Sequence, residues 1–481
     1  MYSICISNGE SVPPRIDMWA LLEKIIGYAK GWTEIRYHNK LVNSITIKKG
    51  ELEESTSIET KGVGIRVLIN GTFGFSSTSS IEEHDLKSCL QLATIAARSA
   101  SNTKIKKVVG LQSAELAKGE FRPDINDPVT AHSLEEKLSL VQRIEKQVRN
   151  VSPLIKSAIC TYIESIDEKY ILTTDGTRAH IIDSKPEFRV VAVATKNNEM
   201  QIGSKSVGVT GGWGDLFREE SPEELAEKAA KIAVDLLSAK YPEGERAWVV
   251  LDPGLVGLLS HEAIGHTVEA EHVLAGSIVK DKVGQTVASE LITMVDSGPS
   301  QIKPNAGGIV LVDDEGVPGQ KTVIIERGVL KSYLHNRETA YIFGVQPTGN
   351  ARAWAYRDEP LIRMRNTYVE PGEMELDELI SGIKEGYFLK GPMGGQADMN
   401  AEFMFGVQEA YRIKNGKIGE LLRGVTISGQ AFDVLTSCNG ISKEFEWALG
   451  SGYCGKMQPA KVDAGGPYLR CKVIVGGEQK K

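Results

Sequence analysis

His261, Glu262 and His266 stand in the apolar stretch 258–268, and these residue types at this spacing point to a metal centre. Two imidazoles about one helical turn apart can share a divalent ion, and a carboxylate beside the first can take a proton from polarised water. That is the logic of the H-E-x-x-H zinc peptidases. Here the spacing is H-E-x-x-x-H, one residue longer. Four residues of α-helix rotate by roughly 40° net and five by roughly 140°, so a regular helix would turn His266 away from an ion on His261. Two distortions repair this: a π-type bulge, whose i to i+5 bonding returns both side chains to one face, or a break at Gly265. The segment is therefore predicted to leave the α-helix at 264–266. A surface helix that merely carries His and Glu is the bland alternative.

A third ligand is needed, and several residues compete for the place. His272 follows His266 by six positions, the spacing of the last two histidines in longer zinc motifs, but Glu269 replaces the glycine that turns the chain there. Glu269 or Glu271 suits a two-histidine, one-carboxylate site, or is equally a solvated acid on the outer helix face. Cys454 lies in the glycine-rich stretch Gly450-Ser-Gly-Tyr-Cys-Gly-Lys456, and a mixed set of two histidines and a thiolate suits zinc. On residue chemistry Cys454 leads narrowly. No oxyanion donor stands out; Tyr333, His335 and Arg363 lie in the right half, each with an ordinary structural explanation.

The elements that must position these groups fall into two halves. From 15 to 240, helix, strands, helix occurs twice, in units of about 15–101 and 129–240. The first unit has helices at Ile16–Ala29 and about 81–100, with alternating runs at 33–38, 41–48, 51–61 and 62–68 that read as an antiparallel meander. The second has a helix from Ser133, with Glu136 completing a capping box, strands at 155–165, 169–174, 178–185 and 188–196, and a helix opened by Ser221-Pro-Glu-Glu224. Glycine clusters at 71–75 and 208–214 occupy matching places and read as tight turns with close backbone approach rather than phosphate cradles. The stretch 102–128 reads as a linker. Near Lys240-Tyr-Pro-Glu-Gly244 the character changes, and 241–481 favours strands at 246–251, 309–312, 322–326, 329–335, 361–368, 403–414, 417–427 and 469–475. Few helices interrupt them, 375–383 being the clearest, and Asp313-Asp-Glu-Gly316, Arg327-Gly328 and Asn415-Gly416 read as hairpin turns. The fold class is α+β: a doubled N-terminal half on an antiparallel sheet, 1–240, and a mostly antiparallel, barrel-like C-terminal domain, 241–481, carrying the motif helix.

Composition narrows the function classes. With 481 residues and 41% hydrophobic content the chain holds more than one core. A net charge of −7 without a basic stripe argues against a nucleic-acid partner. No apolar run approaches a membrane span, and residues 1–7 lack the basic start of a signal peptide. Six scattered cysteines fit reduced thiols in a cytoplasm, most of them small core residues and one a possible ligand.

His261-Glu-Ala-Ile-Gly-His266, with Gly452-Tyr-Cys-Gly-Lys456 downstream and the ending Gly465-Gly-Pro-Tyr-Leu-Arg-Cys-Lys-Val-Ile-Val-Gly-Gly477, resembles the TldD/PmbA family of zinc metallopeptidases, on its motif-bearing TldD side. Arg363-Met-Arg-Asn-Thr-Tyr368 and the region from Met393-Gly-Gly395 to Glu409-Ala-Tyr-Arg412 are similar to it as well. The chain departs from the pattern at Met457-Gln-Pro-Ala460, where a glycine-rich run is expected. The resemblance implies that His261, His266 and Cys454 bind a zinc ion (Zn2+) and that Glu262 is the base. It also implies a dimer, with a related subunit lacking the motif or with a second copy, enclosing the site. The expected activity is hydrolysis of short or unfolded peptides; a non-peptidase metal-dependent amide hydrolase and a metal-stabilised partner subunit without turnover are the alternatives. A closed set of four protein ligands favours that last reading, and an open fourth position favours an enzyme.

Overall fold

A computed structural model of the chain describes residues 17–103 and 107–477. Cys5, residues 1–7, Ile16 of the predicted first helix and 104–106 of the linker lie outside them.

The first unit comprises α1 (Met18–Ile26), β1 (Trp32–Lys48), β2 (Glu51–Ile69), β3 (Thr72–Thr78) and α2 (Glu83–Ser101). Short β4 (Lys118–Phe121) precedes the second unit: α3 (Leu134–Val151), β5 (Ile155–Thr173), β6 (Arg178–Lys196), β7 (Glu199–Gly208), α4 (Trp213–Leu216) and α5 (Pro222–Leu236). The units share one sheet, joined where β1 runs antiparallel to β5, so that β3-β2-β1 and β5-β6-β7 extend from the junction in opposite directions. The correspondence reaches single atoms. A Cβ on Gly74 of β3 would lie 2.1 Å from the Ala93 carbonyl of α2, and one on Gly203 of β7 would lie 2.1 Å from the Ala229 carbonyl of α5. Each helix presses on its outer strand at a position that only glycine admits. Ser133 with Glu136 and Ser221 with Glu224 form the capping boxes that start α3 and α5, and Pro222 stands at the first turn of α5.

The strands are longer than the sequence predicts. Asn39-Lys40 is no turn: β1 runs straight through it, with Asn39 opposite Lys61 and Glu168, and Lys40 opposite Thr60 and Asp167. The same holds at 61–62, within β2, at 166–168, within β5, and at 186–187, within β6. The cause is visible in β1, where alternate residues serve two buried faces. Ile35, Tyr37, Ile45 and Ile47 face the helices, whereas Glu34, Arg36, His38 and Lys40 are buried against the other half of the chain. Charged residues that imitate loop composition are therefore interior ones with partners. Arg36 contacts Asp314, Lys169 Nζ donates to Asp314 Oδ1 at 2.8 Å, and Arg66 Nη2 donates to Glu315 Oε1 at 2.8 Å. The stretch Asp313–Gly316 does turn the chain, but it is a buried acidic plug in a basic sheet face.

Beyond residue 244 the chain builds a closed five-stranded barrel. β8 (Glu245–Leu251) pairs parallel with Glu385–Ala397, which runs antiparallel to Glu402–Lys414; the ring continues through Val425–Gln430 and Leu469–Gly477 back to β8. The strand 385–397 was hidden in the sequence by Gly386, Gly391, Pro392, Gly394 and Gly395, and its register slips at Pro392/Gly395. Beside the barrel lies a second sheet in which Met294–Ser297, Asn366–Val369 and Asp463–Gly466 are central. The predicted strand 309–312 forms only an isolated bridge at Val312, and 329–335 shortens to Val329–Leu330. The run 361–368 divides into Leu361–Ile362 and Asn366–Val369, and 417–427 into Lys417–Leu422 and Val425–Gln430. Among the described residues, no helix is long and apolar enough to cross a membrane.

Candidate metal centre

β8 delivers the chain to Asp252, whose Oδ1 accepts from Leu255 N at 2.9 Å and whose Oδ2 accepts from Gly391 N at 2.8 Å. The first bond caps α6 (Pro253–Leu258), and the second ties that cap to the barrel. After Leu258 the helix widens: Leu259–Gly265 is π-helical and His266–Val268 a 3-10 turn, before α7 (Ala270–Leu274). The bulge predicted from the five-residue spacing is present, and it sets the rings of His261 and His266 5.2 Å apart, nearly edge to face.

Gly265 permits it. A Cβ there would fall 1.9 Å from Met364 Sδ. Gly265→Ala is therefore expected to cost about 1–3 kcal/mol of stability and to lower metal content, as overpacking displaces the bulge or Met364. Unfolding and metal analysis of this variant and of Gly265→Ala with Met364→Ala test this; the second change should restore part of both.

Cys454 arrives on a separate element. Tyr453–Cys454 pairs antiparallel with Ala460–Lys461, a two-strand hairpin that lays Cys454 Sγ 3.3 Å from His266 Nε2. The donor atoms of His261, His266 and Cys454 all lie within 4.8 Å of one another. Arg363, fully buried, holds the hairpin by donating to the Cys454 carbonyl at 2.6 Å and to the Gln458 carbonyl. A second grouping, His266, Glu269 and His272, is hydrogen-bonded internally, with Glu269 Oε1 alone of its buried atoms lacking a partner among the described residues: His266 Nδ1 donates to Glu269 Oε2 at 2.9 Å, and His272 Nδ1 donates to the His266 carbonyl at 2.8 Å.

The first grouping is not satisfied. Among the described residues, neither ring nitrogen of buried His261 has a hydrogen-bond partner. A buried polar group without a partner costs about 1–3 kcal/mol, and a ligand that takes the lone pair removes that cost. The thiols agree. Burial pushes Cys89, Cys160, Cys438 and Cys471 up from the ordinary thiol range, Cys438 to about 11. Burial opposes the Cys454 thiolate too, but the imidazoles of His261 and His266 outweigh it and draw Cys454 down to about 3. Likewise burial disfavours the His266 imidazolium, yet Cys454 and Glu269 raise that ring to about 10. One thiolate and two imidazoles at this separation fit a zinc-type ion.

Glu262 stands beside the cluster, partly exposed, its Oε2 3.7 Å from His266 Nε2. Sequence reasoning missed the office of Glu269. Its side chain is fully buried, orients His266 through Nδ1 and meets Lys456 Nζ at 3.0 Å. The signal was its place three residues after His266, one turn on the same face. Glu269→Gln is expected to weaken metal binding about 10–100-fold, the usual loss when the partner of a ligating imidazole is removed; competition with a chromogenic chelator measures it. Glu271 faces Lys456 rather than the cluster. Tyr333 Oη donates to the Val279 carbonyl, His335 Nδ1 lies 3.2 Å from Thr339 Oγ1, and Arg363 is spent on the hairpin.

Three family models describing PmbA/TldA metallopeptidases match the chain in succession: domain 1 over 33–97, the central domain over 127–237 and the C-terminal domain over 244–477. A metalloprotease of Methanothermobacter thermautotrophicus is 34% identical over 460 residues, covering 93% of this chain and 95% of its own. The chain belongs to the PmbA/TldD family. A zinc metalloprotease TldD homolog of Saccharolobus solfataricus is 32% identical and covers 96% of this chain and 100% of its own. The fold recurs in TldE from Thermococcus kodakarensis, with a TM-score of 0.76 at 18% identity, covering 95% of this chain and 100% of that one. It recurs also in a Thermotoga maritima protein described as a modulator of DNA gyrase, with a TM-score of 0.79 at 22% identity, over 95% of this chain and 100% of the other.

Proposed function

We propose that this PmbA/TldD-family chain is a zinc-dependent peptidase acting on short or unfolded peptides, with His261, His266 and Cys454 as ligands and Glu262 as general base. The observation that carries the reading is buried His261, both ring nitrogens without a partner among the described residues, beside the Cys454 sulfur and a second imidazole. When bound, the ion supplies Lewis acidity toward a carbonyl and toward water. Glu262 accepts the proton of the attacking water and returns it to the leaving amine. Glu269 and Arg363 hold His266 and the Cys454 hairpin in place. Among the described residues three protein donors converge, one fewer than a closed structural zinc site has, which favours the catalytic reading over the scaffold.

The proposal extends to a cytoplasmic enzyme working in a two-subunit assembly, with a related chain lacking the motif or with a second copy, whose enclosed site admits extended peptides. Chelation is expected to abolish cleavage of a fluorogenic peptide by the purified assembly, and added zinc to restore it. The same sequence inside a stable folded domain should remain uncut. Cleavage that survives complete metal removal would discard the metal mechanism, and equal cleavage of both substrates by a monomer would discard the enclosed site.

A further inference from the structure

Behind the Cys454 hairpin lies a cavity of ≈ 80 Å³ between the N-terminal sheet and the C-terminal half. It is distinct from the metal cluster. Tyr453, Ala460 and Lys461 of the hairpin line the cavity, whereas His261, His266 and Cys454 do not. Two features set the cavity apart from an ordinary polar gap: its room and its charge. On the same measure a water molecule needs only about 10–15 Å³, so a small molecular ion with accompanying water fits.

Five cationic and three anionic side chains line it, an excess of two positive charges. The carboxylates are already engaged. Asp167 serves Lys40 and His38, Asp314 serves Lys169 and Arg36, and Asp183 serves Lys185. Lys461 meets Glu187, which Arg189 shares. Arg352 forms no ion pair among the described residues; its guanidinium donates only to the carbonyls of Met364 and Lys461, each at 2.6 Å. Burial bears on these cations accordingly: it lowers Lys40 and Lys185, holds Lys461 at about 8, and, with Arg363 adding repulsion, brings Arg352 to about 10. Lys40, Lys169, Lys185 and Lys461 each have a carboxylate partner, so the charge left without one is that of half-buried Arg352, which a bound anion meets.

We infer that this cavity is a binding site for a small oxyanion, a carboxylate or a phosphate, held by Arg352 and Lys461 from one half of the chain and by Lys40 of β1 from the other. Its occupant touches the Cys454 hairpin through Tyr453, Ala460 and Lys461, none of which belongs to the metal cluster. The inference needs neither metal nor turnover, so it stands or falls apart from the peptidase reading. A reporter is built in, since Lys40 Nζ sits 3.3 Å from the ring centroid of Trp354, which also lines the cavity.

The test is a fluorescence titration of the full metal-free chain with sodium acetate, sodium phosphate and neutral acetamide at constant ionic strength. Saturable quenching or enhancement is expected with at least one of the two anions and none with acetamide, and Trp354→Phe should remove the signal. The stronger of the two anions identifies the class. Arg352→Gln should raise the half-saturating concentration at least tenfold. If that variant does not fold, Lys40→Gln, on the opposite wall, should weaken binding by a similar factor. A response that is linear with both anions, equal with acetamide, retained in Trp354→Phe, or unchanged in the folded Arg352 or Lys40 variants would overturn the assignment.

Discussion

Glu262→Gln is expected to keep a full complement of metal and to lose turnover by about 10²–10⁴, the usual contribution of a positioned general base. Glu262 lies partly exposed beside the cluster, whereas the three clustered donor atoms belong to His261, His266 and Cys454. His261→Ala, His266→Ala and Cys454→Ala should each lose most of the metal, and with it activity, because each removes one of three donors. His272→Ala should retain the metal, since that ring donates to the His266 carbonyl rather than facing the thiolate. Metal analysis and peptide cleavage on the same preparations separate the roles. Full metal in Cys454→Ala, with loss in His272→Ala, would reverse the choice of third ligand; normal turnover in Glu262→Gln would remove the base.

The distorted helix was legible in the sequence because it follows from a count. Five residues cannot bring two imidazoles together on 3.6 residues per turn, so the backbone had to change there, and Leu259–Gly265 is π-helical. Caps and turns were legible for similarly local reasons. Ser133 with Glu136, Ser221 with Glu224, and the turns at Lys49-Gly50 and Asn70-Gly71 each depend on residues within four positions. Asn197-Asn198, both at positive φ between β6 and β7, carried the same kind of signal and was passed over.

What stayed hidden depends on partners far along the chain. Lys40 looks like loop chemistry until Asp167 stands beside it, and Asp314 looks like a solvated turn until Arg36 and Lys169 surround it. Polarity reports exposure only on average, and in this sheet the polar face is covered by another half of the same molecule. Glu269 was misread in the same way. Two readings were open, ligand or surface acid, and the residue is buried and hydrogen-bonded to His266. Residue chemistry put Cys454 only narrowly ahead of His272, Glu269 and Glu271, and family resemblance settled the ranking, because only the fold shows which side chain meets two imidazoles.

Arg365→Met is expected to destabilise the C-terminal half by about 3–5 kcal/mol, the usual result of stripping one partner from a buried ion pair. Arg365 and Asp296 are both completely buried, with Arg365 Nε donating to Asp296 Oδ2 at 2.8 Å. The remaining guanidinium protons go to the carbonyls of Thr348, Gly349 and Asp296 and to Thr322 Oγ1, while Asp296 also accepts from Arg365 N, Asn350 Nδ2 and Thr367 Oγ1. Removal of the cation leaves a carboxylate in the interior with hydrogen bonds but no counter-charge. The damage should reach the metal centre. Asn350 Nδ2 bridges Asp296 to the Arg363 carbonyl, and Arg363 in turn holds the carbonyl of Cys454. Asp296→Asn on the Arg365→Met background deletes the unpaired charge and should recover stability, whereas Asp296→Asn alone should be destabilising because it leaves Arg365 unpaired. Denaturant unfolding of the four proteins of this cycle measures the coupling, and metal analysis shows whether the hairpin has loosened. A double variant less stable than either single one would mean that the pair acts through its hydrogen bonds alone, and that charge balance at Asp296 is not what anchors the strand leading to Arg363.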